Sequence, residues 1–307
     1  MRRIATIGFF DGVHKGHQFL FAQLCQAAQQ RGLEPLVVTF RQHPREVLQS
    51  DYVPQLLTSL DERLSLIRSF VNSFNLQHLT PYTLHTFDFT EIKDLTAQQF
   101  MCLLRDQYDV SAILMGYDHR FGSDRLRHPQ DYKRIGEQEG IEVLTLSEFT
   151  EGELHVSSTE IRQALERGNI VLANELLGRP YQLSGTVVHG NAIGRTIGFP
   201  TANICPDDPY KILPKNGVYK VTVSFNLQHS TFNHLQSQPA IANIGHSLGQ
   251  AEQTLELHIP HWSGDLYGEQ LTIAFDRFLR DERHFDSLAS LRQQIAEDLS
   301  SAITSER

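Results

Sequence analysis

The sequence contains little cysteine and no excess of basic residues. Its three cysteines, Cys25, Cys102 and Cys205, stand far apart and form no CxxC pair. This spacing argues against a zinc site and predicts a protein of a reducing compartment. The formal net charge of −9 argues against a nonspecific nucleic-acid-binding protein, because such a protein needs a basic face. A charged substrate would therefore be bound by a few local arginine, lysine or metal contacts.

Long apolar runs and two common phosphate-transfer signatures are also absent. No apolar run reaches the length of about 18 residues that a membrane-spanning helix needs. The N-terminal MRRIATIGFFDG lacks the apolar core of a signal peptide, so we expect a cytoplasmic protein with no membrane partner. The chain has no GxxxxGK[ST], HRD or DFG segment, which argues against a P-loop enzyme and a protein kinase.

The length and the order of the predicted elements indicate two domains. A chain of 307 residues is long enough for two domains of about 100–200 residues each. Predicted strands alternate with helices up to about residue 180, whereas the later strands follow one another. This order predicts an α/β domain over residues 1–180 and a small antiparallel β-barrel over residues 181–307. Leu288, Leu291 and Ile295 have helical spacing and predict a C-terminal helix.

The first predicted strand leads into the densest motif of the chain, GFFDGVHKGHQFL. The apolar run Ile4–Ile7 predicts a buried strand, and Leu20, Leu24 and Ala28 follow it at helical spacing. Leu36–Phe40 predicts a second strand, so the segment is predicted to be a βαβ unit with parallel strands. The motif then occupies the turn between a strand and the N-terminus of a helix.

This turn has the residues expected of an anion site. Gly12 and Gly16 allow the backbone to approach a ligand closely, and a helix N-terminus presents N–H groups to an anion. His14 and His17 flank the same place, where they could stabilise a phosphoryl group that gains negative charge in a transition state. The alternative is a tight turn with two surface histidines, but the FDGV segment before HxGH favours the functional interpretation.

Two further polar segments of the first domain lie beside predicted elements. The segment GYDHRFG, Gly116–Gly122, comes directly after the predicted strand Ala112–Met115. Three hydroxyl residues and an arginine open the next predicted helix: Ser157, Ser158, Thr159 and Arg162. The hydroxyls could simply cap this helix. Together with the arginine they could also bind a triphosphate.

The second domain has a glycine-rich stretch and a carboxylate of its own. Gly190 and Gly194 precede a Pro-Thr-Ala-Asn segment, in which Thr201 and Asn203 offer neutral oxygens that suit magnesium on nucleotide phosphates. Glu256 alternates with apolar residues on a predicted strand and therefore lies opposite the core. A carboxylate held there can act as a base for a hydroxyl group, although a solvated residue is the more common case.

Together these motifs resemble the prokaryotic bifunctional riboflavin kinase/FMN adenylyltransferase (FAD synthetase) family. GFFDGVHKGH, TFRQHPREV, GYDHRFG and VSSTEIRQAL are similar to its adenylyltransferase half. VVHGNAIGRTIGFPTANI, NGVYKV, LELHI, GDLYG and FLRDERHFDSLASL are similar to its kinase half. The resemblance runs in order along nearly the whole chain. It implies an α/β nucleotidyltransferase fold (Rossmann-like, of the HxGH superfamily) followed by a six-stranded riboflavin kinase barrel.

The resemblance also implies a role for each matching residue. His14 and His17 match histidines that stabilise the α-phosphate during transfer, and Glu256 matches the kinase base. Asp118 and Phe121 match the segment beside the flavin. The positions expected to bind nucleotide are Gly12, Gly16, Ser157, Ser158, Thr159, Arg162, Gly190, Gly194, Thr201 and Asn203. The last two would also hold Mg²⁺.

The implied reactions are the phosphorylation of riboflavin to FMN by ATP and the adenylylation of FMN to FAD with release of pyrophosphate. The implied ligands are ATP with Mg²⁺, riboflavin, FMN and FAD. We expect no nucleic-acid partner, and a monomer or a weak homo-oligomer.

Other interpretations are open on the sequence alone. An aminoacyl-tRNA synthetase also uses HxGH with a second Ser-rich motif, but it needs a basic tRNA-binding region, which this acidic chain lacks. A cytidylyltransferase for alcohol phosphates shares the fold but would not carry GFPTAN. Only one half could be active, or the chain could be a flavin-binding regulator that has lost catalysis. The joint presence of His14, His17, Thr201, Asn203 and Glu256 argues against such a regulator.

Overall fold

The chain divides into two compact units, Met1–Ser158 and Thr159–Arg307. The computed structural model describes residues 1–75, 81–117, 119–151, 154–190, 198–225, 237–246, 253–262 and 264–303. Asp118 and Gly194, which the sequence assigns to ligand binding, lie outside the described residues. The functional division near residue 180 stays a prediction.

The first unit is built on a parallel sheet, which in the described chain has five strands in the order β3-β2-β1-β4-β5. The strands are β1 (Arg3–Ile7), β2 (Glu34–Phe40), β3 (Thr83–Phe87), β4 (Val110–Met115) and β5 (Glu142–Thr145). β1 pairs in parallel with both β2 and β4. Because the strand order reverses between β1 and β4, the carboxyl ends of these two strands form a topological switch point. Open α/β sheets bind ligands at such points.

Helices and a small hairpin complete the first unit. The helices are α1 (Lys15–Arg31), α2 (Pro44–Leu48), α3 (Leu60–Asn75), α4 (Phe89–Ile92), α5 (Ala97–Tyr108) and α6 (Pro129–Glu139). The hairpin pairs β6 (Thr150–Glu151) with β7 (Leu154–His155). Ile4 and Ala5 of β1 are fully buried in two different core clusters. Successive side chains of a strand point to opposite faces, so the sheet is covered on both.

The second unit is an antiparallel barrel with helices beside it. Six strands of the described chain close the barrel in the order β10-β11-β12-β9-β8-β13. They are β8 (Tyr181–Val188), β9 (Ala202–Pro206), β10 (Gly217–Phe225), β11 (Gln238–His246), β12 (Gln253–His258) and β13 (Gln270–Arg280). The helices are α7 (Ser158–Glu166), whose first residue still belongs to the first unit, α8 (Ile170–Leu177) and the C-terminal α9 (Leu288–Ile303). Within the described residues, no helix of either unit combines the length and the hydropathy that a membrane span requires.

The predicted fold class is confirmed, but the sequence pattern does not predict β3, β9 or the two-residue strands β6 and β7. The parallel α/β sheet, the antiparallel barrel and the C-terminal helix are all present. β3 was missed because four of its five residues are only half-buried, which weakens the apolar signal. The sequence pattern does not predict β9, because its Ala-Asn segment belongs to the glycine-rich stretch that is assigned to nucleotide and magnesium binding.

Helix α8 is tied to the barrel by one side-chain amide. The oxygen of Asn174 accepts a hydrogen bond from the N–H of Tyr181 at 2.7 Å. Its nitrogen donates to the carbonyl of Phe275 at 2.8 Å. The amide therefore satisfies a backbone group on each of two neighbouring strands, β8 and β13.

Replacing Asn174 by Ala should lower the free energy of unfolding of the second unit by about 1–3 kcal/mol, because two backbone groups lose their partner. Urea unfolding followed by the fluorescence of Trp262 measures this, since that residue is the only tryptophan and lies in the second unit. The exposed Glu175 of the same helix gives the control, Glu175→Ala, which should shift stability by less than about 0.5 kcal/mol. Equal stability of the two variants would contradict the role of Asn174.

Candidate active sites

The turn after β1 has an uncommon backbone conformation. Phe10, Gly12 and Val13 have positive φ angles of 57°, 80° and 43°. A left-handed conformation is unfavourable for a β-branched residue such as Val13, and it persists only where the surroundings impose it. The turn ends at His14, the residue directly before α1. It therefore brings His14 to the N-terminus of a helix.

A buried carboxylate holds this turn in place. Asp11 is only 4% exposed, and its oxygens accept hydrogen bonds from the N–H groups of Leu57 and Thr58 at 3.0–3.1 Å. The Thr58 hydroxyl donates to Asp11 at 3.0 Å and accepts from the N–H of Gly12 at 3.0 Å. Thr58 lies 47 residues from Asp11, and no periodic pattern links the two, so the sequence alone does not predict this anchor.

His14 and His17 lie face to face at the turn. Their ring centroids are 3.6 Å apart and their planes differ by 22°. The Phe10 ring contacts His17 edge-on at 5.2 Å, and His14 is only 6% exposed. A Cβ at Gly16 would lie 3.2 Å from the His14 ring, which is tighter than an ordinary contact, so glycine at this position leaves room for the ring. Two imidazoles at a helix N-terminus can stabilise negative charge that develops on a phosphate.

The second predicted nucleotide motif contacts the same turn. The Ser158 hydroxyl donates to the carbonyl of Asp11 at 2.9 Å, so the start of α7 is bonded to the HxGH turn. Ser157 precedes this helix, and Thr159 and Arg162 lie on it. The sequence suggests that Ser158 either caps the helix or binds phosphate. The structure gives it a further role, since its hydroxyl anchors the HxGH turn.

Phe121 packs into the core of the first unit. It follows β4 in the chain, and its ring centroid lies 5.6 Å from Phe100 and 4.8 Å from Tyr132. The Tyr132 hydroxyl accepts from the N–H of Phe121 at 3.0 Å and donates to its carbonyl at 2.9 Å. These contacts give Phe121 a packing role, and its predicted contact with a flavin stays a prediction.

In the barrel, three polar residues stand side by side on adjacent strands. Asn203 of β9 pairs in register with Glu256 of β12, and Glu256 pairs with Asn243 of β11. Leu255 and Leu257, the neighbours of Glu256, are buried, so Glu256 lies on the face away from the core, as the alternation predicts. The sequence alone assigns no role to Asn243. Its place beside Glu256 depends on how β11 pairs with β12, and the alternation within one strand does not predict that pairing.

Thr201 and Gly190 complete this polar row. The Thr201 hydroxyl donates to Glu256 Oε2 at 3.2 Å, which holds the carboxylate on one side. A Cβ at Gly190 would overlap the side chain of Asn203, so this glycine makes room for the amide. The structure therefore brings Gly190, Thr201, Asn203 and Glu256 together, as the sequence motifs suggested.

Two cavities share Thr201. A cavity of about 430 Å³ contains Glu256 and Asn243 and extends to the segment after β13 and to α9. A second cavity of about 360 Å³ lies beside Pro200 and Ala202 and is lined by Trp262 and Tyr267. Both volumes fall within the range of small-molecule sites. Thr201, whose hydroxyl bonds the Glu256 carboxylate, thus borders both cavities, and each cavity is large enough for part of a ligand.

The two halves of the chain match enzyme domains of two classes, a nucleotidyltransferase and a kinase. The FAD synthetase family model matches residues 1–160, and the riboflavin kinase family model matches residues 177–305. The chain therefore belongs to the bifunctional riboflavin kinase/FMN adenylyltransferase family, and the resemblance seen in the sequence is confirmed.

Known proteins match both halves of the chain at once. A bifunctional riboflavin kinase/FMN adenylyltransferase of Escherichia coli strain K12 is 36% identical and covers 96% of this chain and 90% of that protein. One of Pseudomonas fluorescens is 34% identical over 97% of this chain and 91% of that protein. A crystal structure described as a macrolide-efflux protein from Streptococcus pneumoniae has a TM-score of 0.84 at 31% identity. It covers 99% of this chain and 94% of that one.

Proposed function

We propose that this chain phosphorylates riboflavin to FMN with ATP and then transfers AMP from ATP to FMN, which gives FAD and pyrophosphate. We assign FAD synthesis to residues 1–180 and riboflavin phosphorylation to residues 181–307. The observation that supports both reactions is that each half matches its own family and carries its own phosphate-transfer geometry. That geometry is the stacked histidine pair in the first half and the Thr201–Glu256 contact between two cavities in the second.

In the kinase reaction, the terminal hydroxyl of riboflavin attacks the γ-phosphorus of ATP, and the bond to the β–γ bridging oxygen breaks. Glu256 orients this hydroxyl and accepts its proton as the new bond forms, since phosphoryl transfer relies mainly on positioning and electrostatics. Riboflavin would occupy the cavity that contains Glu256, and ATP the cavity beside Trp262. Thr201, which borders both, would mark the place where the phosphoryl group passes.

Thr201 and Asn203 fit a magnesium ion that arrives with ATP. The Thr201 hydroxyl bonds the Glu256 carboxylate and Asn203 pairs in register with Glu256, and magnesium prefers a few protein oxygens plus substrate phosphates. In the described part of the chain, no cluster of three or more His, Cys, Asp or Glu side chains could hold a metal by itself. When bound, the ion would neutralise part of the phosphate charge.

In the adenylyltransferase reaction, a phosphate oxygen of FMN attacks the α-phosphorus of ATP and pyrophosphate leaves. His14 and His17 donate hydrogen bonds to the oxygens around the α-phosphorus, where charge develops beside the N-terminus of α1. Ser157, Ser158, Thr159 and Arg162 would bind the nucleotide. Asp118 and Phe121 would contact the flavin.

We further propose a cytoplasmic location and a monomer or weak homo-oligomer without a nucleic-acid partner. All three cysteines are free thiols, which is usual in a reducing compartment. Burial raises the pKa of the Cys25 thiol to about 11, so this group stays neutral and unreactive at pH 7.

Incubation of the full chain with riboflavin, ATP and magnesium should give FMN and then FAD, separated by chromatography. A parallel incubation with FMN in place of riboflavin tests the second reaction alone. FMN without FAD in both incubations would show that only the kinase half is active. Binding of flavin with neither product would support a regulator that has lost catalysis.

Replacing His17 by Ala should lower the turnover number for FAD synthesis by about 10²–10³, as expected for the loss of one preorganised donor. FMN formation, which we assign to the other half, should not change. His128→Ala, at an exposed histidine of the first unit, serves as the control and should leave both activities intact. A His17 variant with normal turnover and only a raised Michaelis constant would argue against a transition-state role.

Replacing Glu256 by Gln keeps the size of the side chain but removes its charge and basicity. Riboflavin phosphorylation should slow by about 10²–10⁴ in kcat, the range of general acid–base catalysis. FAD synthesis from supplied FMN should persist. Glu166→Gln changes an exposed carboxylate and should match the wild type. If the Glu256 variant phosphorylates riboflavin at the wild-type rate, the base is another residue.

A further inference from the structure

The cavity that contains Glu256 has the C-terminal helix as one of its walls. Leu291 and Ile295 of α9 line it, and Glu256 lines it from the barrel. The first half of α9 is exposed or half-buried, and the residues of this helix that are buried in the described chain are Asp298 and Ala302. The buried contacts in the second half of the helix therefore hold the part of the helix that forms the cavity wall.

Contacts with the barrel fix that second half, among them a hydrogen bond from Arg277 Nη2 of β13 to the carbonyl of Ser301 at 2.7 Å. Near the C-terminus, Ala302 packs in a small apolar cluster with Val218 and Ile241 of the barrel. One turn earlier, Asp298 pairs with Arg280 at the end of β13. The Arg280 Nε donates to both carboxylate oxygens at 3.0 Å, and Nη2 donates to Oδ2 at 2.7 Å. The two side chains are only 13% and 8% exposed.

The pair is arranged as a clamp within the protein. Gln294 donates to Asp298 Oδ1 at 3.1 Å, so both carboxylate oxygens already accept hydrogen bonds from this chain. Arg280 Nη1 donates to the carbonyl of Asp281 at 3.1 Å, which also holds the start of the segment between β13 and α9. Arg280 and Asp298 border the cavity, yet these hydrogen bonds connect protein groups to one another.

We propose that Arg280 and Asp298 are positioning residues for riboflavin phosphorylation. They hold the wall formed by Leu291 and Ile295, against which the flavin ring is placed so that its hydroxyl faces Glu256. This inference rests on the proposed kinase function. Removing one partner leaves a buried charge without compensation, so the helix must move to solvate it. The cavity would then lose the wall that Leu291 and Ile295 form. Glu256 would keep its position, and the cavity beside Trp262 would keep its shape.

The test is Asp298→Asn in the full chain. The Michaelis constant for riboflavin should rise by about tenfold, because the flavin loses part of the wall that binds it; this corresponds to about 1.4 kcal/mol of binding free energy. The Michaelis constant for ATP should change by less than about twofold, and FAD synthesis from supplied FMN should be unchanged. Titration of riboflavin fluorescence should show an equal loss of affinity, a readout that does not require catalysis.

A matched control removes an exposed arginine–carboxylate pair elsewhere in the chain. Arg31 donates from Nε and Nη2 to the two oxygens of Glu142 at 2.9 and 3.0 Å, but these side chains are 30% and 51% exposed. Glu142→Gln should therefore leave both activities and riboflavin affinity at wild-type values. Arg280→Lys, which keeps the charge but loses the two-point contact, should weaken riboflavin binding in the same direction and to a smaller extent.

Three results separate this inference from the function on which it rests. Unchanged riboflavin affinity in folded Asp298→Asn and Arg280→Lys proteins would overturn it. So would equal losses in kcat and in both Michaelis constants, since these indicate general damage rather than a displaced wall. If the wild type binds riboflavin but makes no FMN, the kinase proposal fails, and the fluorescence titration alone then decides the role of the pair in binding.

Discussion

Successive side chains of a β-strand point to opposite faces, and both candidate sites depend on this constraint. In β1, Ile4 and Ala5 are buried on the two faces of the parallel sheet, so chemistry is confined to the edge where the strands end. In β12, Leu255 and Leu257 point inward and Glu256 outward. Pairing with β9 and β11 then places Glu256 in a row with Asn203 and Asn243. A shift of one residue in this register would bury the carboxylate and expose the leucines.

Buried polar anchors then set the fine geometry that strands alone cannot give. The Asp11 carboxylate spans from the HxGH turn to the segment before α3, and Thr58 closes the connection through Gly12. Burying a carboxylate is costly unless it is fully hydrogen-bonded, and these contacts offset that cost. The same logic applies to Arg280 and Asp298. The buried carboxylates of Asp11 and Asp298 each fix the position of a neighbouring element. For the ion pair of Arg280 with Asp298, removal of one partner would lower the free energy of unfolding by more than the intact pair contributes to it.

The sequence predicts the local elements well because each has a periodic signature. The βαβ unit from Arg3 to Phe40, the alternating strand that carries Glu256 and the C-terminal helix all follow from spacing alone. The anchors have no such signature. Thr58 is identified as the partner of Asp11, and Asp298 as that of Arg280, only when distant segments are brought together. Asn243 was missed for the same reason, and the packing of Phe121 was hidden within a motif that resembles a flavin contact.

The acidic character of the chain constrains how it can bind its anionic ligands. With a formal net charge of −9, the chain as a whole gives no net attraction for anions such as ATP and FMN. Binding must then come from groups within a few ångströms, where pairs in a partly buried site are screened less by salt. The N-terminus of α1 suits this need, because its N–H groups carry partial positive charge at every pH. The stacked histidines add donors at the same point, so the site can favour a charged transition state without a basic surface around it.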